Sequence, residues 1–148
     1  MTCYECISTN SAVLILRRDR MAAPNPTEGE LAILRVLWSR KAPMTVREVH
    51  EVLTRVKDTA YTTVLKMLTI MHDKGLVLRD ETDRSHRFVP SFAEPVVESS
   101  LVNDFMQRTM GGSAVKLVQR ALDTGEATRD ELEAIARLIT AAKQKARR

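Results

Sequence analysis

Four times between Thr27 and Glu131 a Ser or Thr stands three residues ahead of a Glu: Thr27/Glu30, Thr45/Glu48, Ser91/Glu94 and Thr128/Glu131. In such a pair the hydroxyl accepts a backbone N–H of the first helical turn, while the carboxylate reaches back to the N–H of the capping residue. Two donors that no helical carbonyl can serve are thereby satisfied together. Four helix starts of this kind in a chain of 148 residues commit it to a mainly α-helical fold.

Apolar periodicity fills in the helices. The stretch from Glu28 to Ser39 puts Leu31, Leu34, Leu37 and Trp38 on one face, and Trp38 reads as a core anchor. After the short connection Lys41–Met44, a second helix from Val46 to about Val56 turns Val46, Val49, Leu53 and Val56 inward. A third, from Ala60 to Lys74, buries Val64, Leu68 and Met71 and stops at Gly75, which tolerates a left-handed cap. The period then shortens to two. Leu76–Arg79 and His86–Val89 are extended runs around a polar tip, Asp80–Ser85, and Pro90 closes the hairpin. Three helices and a hairpin outline a winged helix-turn-helix.

The remainder is helical again. Pro95 falls in a first turn, where its missing donor costs nothing. Apolar stripes run through Val97, Leu101, Val102, Phe105 and Met106 up to Gly111-Gly112, then through Leu117, Val118 and Leu122, and finally through Leu132, Ile135, Ala136 and Ile139. These helices are too few to enclose a core alone, and a second copy would complete it. Leu101, Phe105, Leu117, Val118, Leu132, Ile135 and Ile139 are therefore the expected dimerisation residues of a homodimer. The predicted organisation is a mobile leader over 1–26, with Met21 an alternative start, a winged helix over 27–90 and a C-terminal helical dimerisation domain over 91–148.

A formal net charge of +4 favours a polyanionic partner without demanding one. In a helix-turn-helix the second helix of the pair enters the major groove with its N-terminal residues. Here Tyr61, Thr62, Thr63 and Lys66 stand at that place. Hydroxyls and lysine can address bases or phosphates, so these residues are the candidate readers of double-stranded operator DNA. Arg47 at the start of the second helix, and Arg84 and Arg87 in the wing, are candidate DNA contacts, the wing holding phosphates rather than reading sequence.

Other classes of function find little support. One Trp, two Tyr and three Phe argue against a large aromatic-lined pocket. Gly111-Gly112-Ser113 joins two helices and so cannot be a nucleophile elbow, and no acid, base and nucleophile gather in sequence. The chain is read as no enzyme, without cofactor or metal. Cys3-x-x-Cys6 lacks the second ligand pair that zinc requires. No apolar run can cross a bilayer, and Ala12–Leu16 precedes Arg17, Arg18 and Arg20 in the reverse of signal-peptide order. A cytoplasmic protein without direct membrane insertion is expected. A winged helix used for protein contacts alone is the alternative.

The combined pattern is more specific than its parts. Thr27-x-x-Glu30-x-x-Ile33-Leu34-x-x-Leu37-Trp38, Thr45-Val46-Arg47-Glu48-Val49, Ala60-Tyr61-Thr62-Thr63-Val64, Lys74-Gly75-Leu76-Val77 and Arg84-x-x-x-Phe88-x-Pro90 resemble the penicillinase-repressor family, the BlaI/MecI group. The likeness continues through Asp104-Phe105-Met106, Gly111-Gly112, Leu117-Val118 and Glu131-Leu132, over about residues 27–140. It implies a dimeric winged-helix repressor of genes such as those for β-lactam resistance. It also implies relief of repression by a sensor-linked protease that cuts an Asn-Phe bond, which here aligns with Asp104-Phe105. Family members often carry a threonine where this chain has Lys66 and an arginine where it has Ile70, so the operator sequence does not carry over. The copper-responsive branch has a cysteine-rich C-terminal motif, and residues 91–148 contain no cysteine.

Overall fold

A computed structural model describes residues 23–82 and 84–147. Its elements are α1 (Glu28–Arg40), β1 (Met44–Thr45), α2 (Val46–Thr54), α3 (Tyr61–Asp73), β2 (Val77–Asp80), β3 (Arg87–Pro90), α4 (Glu94–Met110), α5 (Ala114–Asp123) and α6 (Arg129–Ala146). The chain forms two compact units, one reaching to Val102 and one starting at Asn103, so the division falls inside α4. Cys3, Cys6 and most of the expected leader lie outside the described residues.

Three of the four helix starts form as reciprocal boxes. Thr27, Thr45 and Thr128 each accept the N–H of the Glu three residues on, and each Glu accepts the capping N–H at 2.9, 2.7 and 2.8 Å respectively. The fourth does not. Ser91 is buried and its N–H donates to the Leu76 carbonyl at 2.9 Å, so the residue extends the sheet, and α4 starts only at Glu94. Pro95 still sits in the first turn of α4.

The first unit packs α1, α2 and α3 against a three-stranded antiparallel sheet of order β1-β3-β2. Met44 pairs with Phe88 and Thr45 with Arg87, while Leu78 pairs with Val89 and Arg79 with Phe88. Ile33, Leu34, Leu37, Val49, Val64, Leu68, Met71, Leu76 and Val77 are fully buried here. Burial of each large aliphatic stabilises by about 1.5–3 kcal/mol. The turn into the wing follows from Gly75. At φ 78 it occupies the left-handed region, the Leu76 N–H bonds the Met71 carbonyl at 2.8 Å, and the Gly75 N–H bonds the His72 carbonyl at 3.0 Å.

Some expectations need correction. Helix α2 ends at Thr54 in a tight turn, with the Val56 N–H on the Leu53 carbonyl at 3.0 Å, and Val56 is 89% exposed rather than inward. Val52 packs against the core in its place. Ala23, expected in a mobile leader, is buried, and its carbonyl accepts the Ser100 hydroxyl at 2.9 Å. The first unit also runs past the expected boundary at Pro90. Phe92 and Val97 are buried in its core, and Trp38 Nε1 donates to the Phe92 carbonyl at 3.0 Å, which bears out Trp38 as an anchor. Leu101, expected in the dimer face, packs against the same core because it follows Val97 by one helical turn.

Glu30 does more than cap. It is only 4% exposed, and its carboxylate also takes the Lys74 ammonium at 2.8 and 3.1 Å, tying the start of α1 to the end of α3. Replacing Lys74 with Ala leaves the Thr27 N–H as the remaining donor to a buried carboxylate. Destabilisation by about 1–3 kcal/mol is expected, because the charge loses its partner without regaining water. Urea unfolding should show it as a lowered midpoint at constant slope.

The second unit is built differently. Gly111 and Gly112, at φ 59 and 78, end α4 as expected, and Ser113 caps α5 by accepting the Lys116 N–H at 3.3 Å. No residue of α5 or α6 is buried.

Candidate nucleic-acid interface

The turn between α2 and α3 is held by a histidine. His50 Nε2 hydrogen-bonds the Thr59 carbonyl at 2.9 Å, and its ring meets the Tyr61 ring edge-on at 5.7 Å and 75°. The partially buried imidazole thus sets the point at which α3 begins. Burial of Val64, Leu68 and Met71 then fixes the rotation of α3 about its own axis. At about 100° per residue, Thr62, Lys66 and Thr69 must fall on the opposite side.

All four expected readers on α3 are exposed: Tyr61, Thr62, Thr63 and Lys66. Among the described residues Lys66 has no hydrogen bond or ion pair, whereas Tyr61 is shared with His50. Ala60 occupies the N-cap without a side-chain hydrogen bond, in contrast to the boxed starts of α1 and α2. Three further residues belong to the same outer surface: Leu65, Thr69 and Ile70. Leu65 and Thr69 were not among the expected readers, which were sought among polar groups near the helix start, and Ile70 entered only as a departure from the family's arginine. The signal was the spacing, since each lies off the Val64–Leu68–Met71 face.

The arginines divide. Arg47 is exposed and pairs with Glu51 one turn on at 3.3 Å. Arg84 stands exposed at the wing tip with no partner among the described residues. Two acids of the same hairpin are engaged, Asp80 accepting from the Thr82 N–H and hydroxyl at 3.0 and 2.6 Å and Glu81 pairing with Arg79, while Asp83 lies outside the described residues. Arg87 lies further down the hairpin, half-buried and in register with Thr45 and Asp80. Hydrogen bonds from Thr45 hold Glu48 below the usual carboxylate range, and the nearby charges of Arg87 and Arg40 add to the effect. Asp80 is lowered in the same sense by Thr82, with Arg87 again contributing. The wing base therefore carries a charge already shared with two carboxylates, and the wing tip carries one with no partner among the described residues.

No group of three or more His, Cys, Asp or Glu is gathered for a metal among the described residues. No helix among them is long and apolar enough to cross a membrane.

A helix-turn-helix backed by a three-stranded sheet, with an exposed second helix and a hairpin beside it, defines a winged-helix protein. The chain belongs to the penicillinase repressor family, which it matches over residues 26–141. It is 36% identical over 112 residues to the transcriptional regulator BlaI of Mycobacterium tuberculosis, covering 74% of this chain and 79% of that one. Among solved structures it is similar to Bacillus licheniformis BlaI in its monomeric form with the blaP half-operator, at 22% identity and TM-score 0.44, over 50% of this chain and 89% of that one. The multiple antibiotic-resistance repressor MarR of Listeria monocytogenes is similar at 17% identity and TM-score 0.43, over 94% and 86%. The chain is thus a BlaI-like member of a family of DNA-binding transcriptional repressors.

Proposed function

We propose that this protein is a cytoplasmic homodimer that represses transcription by placing α3 of each copy in the major groove of a two-fold operator. The observation that carries the reading is the outer face of α3, where Thr62, Thr63 and unpaired Lys66 stand exposed on a helix whose rotation is fixed by three buried residues. Lys66 and the threonines address base edges; Arg84 at the wing tip and Arg47 address phosphates, Arg47 by giving up an exposed ion pair worth at most about 1 kcal/mol. Tyr61 packs at the groove wall from its place on His50.

Lys66→Ala and Arg84→Ala separate these roles. Loss of Lys66 should cost on the order of 1–3 kcal/mol and relax preference at one base pair. Loss of Arg84 should weaken all duplexes alike and reduce the dependence on salt by about one ion per wing. Unchanged affinity in both variants would remove the contact model.

Dimerisation rests on the second unit. Val118, Leu122, Leu132 and Ile139 are exposed apolar residues of α5 and α6, and Leu117 and Ile135 are only half-buried. A matching face on a second copy is the simplest cover. Phe105 is exposed on α4 and belongs to the same set.

Relief by proteolysis is proposed at Asp104-Phe105. The bond lies within helical α4, and Asp104 accepts Arg108 Nε at 2.9 Å, so the helix must open locally before a protease can hold it extended. Cells challenged with a cell-wall antibiotic should yield, by mass spectrometry, a fragment ending at Asp104. An intact chain that leaves its operator under that challenge would replace cleavage by a ligand or a partner.

A further inference from the structure

The outer face of α3 is more apolar than a surface made only for hydrogen bonding and charge. Leu65 is 43% exposed although the core behind it is filled by Val64 and Leu68. It stands three residues after Thr62 and four before Thr69, so its isobutyl group adjoins both on the helix surface. The Thr69 hydroxyl donates back to the Leu65 carbonyl at 2.9 Å, which occupies its proton within the helix. Lys66 is the only Lys or Arg of α3 and stands beside them. A cation next to an apolar side chain suits a polyanion that offers a methyl group, and among the major-groove edges of the four bases only thymine does.

We infer that Leu65 reads the C5-methyl group of one thymine in each operator half-site, so that preference at that base pair is set by apolar contact rather than by a hydrogen bond. The inference rests on the DNA-binding reading above and supplies a specificity residue to it. Leu65 lies within the first two turns of α3, the part of a recognition helix that reaches base edges. The contact removes from water a leucine that the folded monomer leaves partly wet and a methyl that free DNA leaves wet, and it needs no polar partner.

The test uses the full chain and the duplex recovered by selection from random sequence. Each thymine is replaced in turn, in both half-sites, by deoxyuridine, which deletes the methyl and keeps every hydrogen-bonding group. One position should weaken the wild-type protein by about fourfold for each methyl removed, the value of one buried carbon. Leu65→Ala should bind the parent duplex more weakly and show no further loss at that position. Circular dichroism checks its fold, and Leu65→Gln, which keeps the stem but ends in an amide, takes its place if the helix signal falls. A penalty that persists unchanged in the variants would give the contact to another side chain and overturn the assignment. No penalty at any thymine would overturn the apolar readout itself. Both results leave the DNA-binding reading standing, which fails separately if the selection enriches no sequence.

Discussion

A chain ending after Val102 is expected to keep the winged-helix core and yet bind a two-half-site operator at least about 100-fold more weakly than the full chain. Everything on α3 and in the wing remains in this fragment, including Thr62, Lys66 and Arg84, so a single half-site should be held as before. The loss comes from the second head, which in a dimer binds intramolecularly at an effective concentration set by the linkage. The position of the cut matters. Ending at Pro90 would remove Phe92 and Val97 from the core and the carbonyl that Trp38 Nε1 donates to, so that shorter piece should unfold rather than simply bind weakly. Titration of labelled full and half operators, with thermal unfolding of both fragments, separates the two effects. Full-operator affinity retained by the longer fragment would mean that the helices after Val102 serve something other than dimerisation.

The second large effect is expected at Ile139. It lies on the α6 stripe with Leu132 and Ile135 and is exposed in the single chain, so Ile139→Asp should leave the folded monomer almost unchanged. In a two-fold dimer the carboxylate would be buried twice without a partner, at about 3–5 kcal/mol each. The dimer dissociation constant should therefore rise by at least about 10⁴-fold. Sedimentation equilibrium would show a monomer with native circular dichroism. A dimer of wild-type strength would place the interface away from this stripe.

Much of this was legible in the residues. Reciprocal boxes at Thr27, Thr45 and Thr128 marked helix starts because their chemistry is local, contained within four residues. The face of α3 was legible because Val64, Leu68 and Met71 keep a strict helical spacing. The failures were those of non-local structure. Ser91 has the same local pattern as the other caps, but the Leu76 carbonyl claims its N–H across the sheet. Strand β1 is two residues long and exists only through its pairing with β3, so no period could announce it. Val56 continued the apolar spacing past a turn that the backbone makes at Leu53. The link from Glu30 to Lys74 spans residues far apart in sequence, and only the fold brings them together. At the interface, the hydroxyls and Lys66 could be nominated by type, whereas Leu65 has the residue type of a core position and only its spacing off the Val64–Leu68–Met71 face pointed outward.

The central claim is that two α3 helices, related by a dimer axis, read one palindrome. Selection of the full-length protein against random duplexes at moderate salt, followed by sequencing, tests this most directly. The account predicts an enriched inverted repeat whose half-sites are centred about one helical turn apart or a multiple of it, with affinity that falls steeply as salt rises. Recovery of a single asymmetric site, or of no enriched sequence at all, would contradict it.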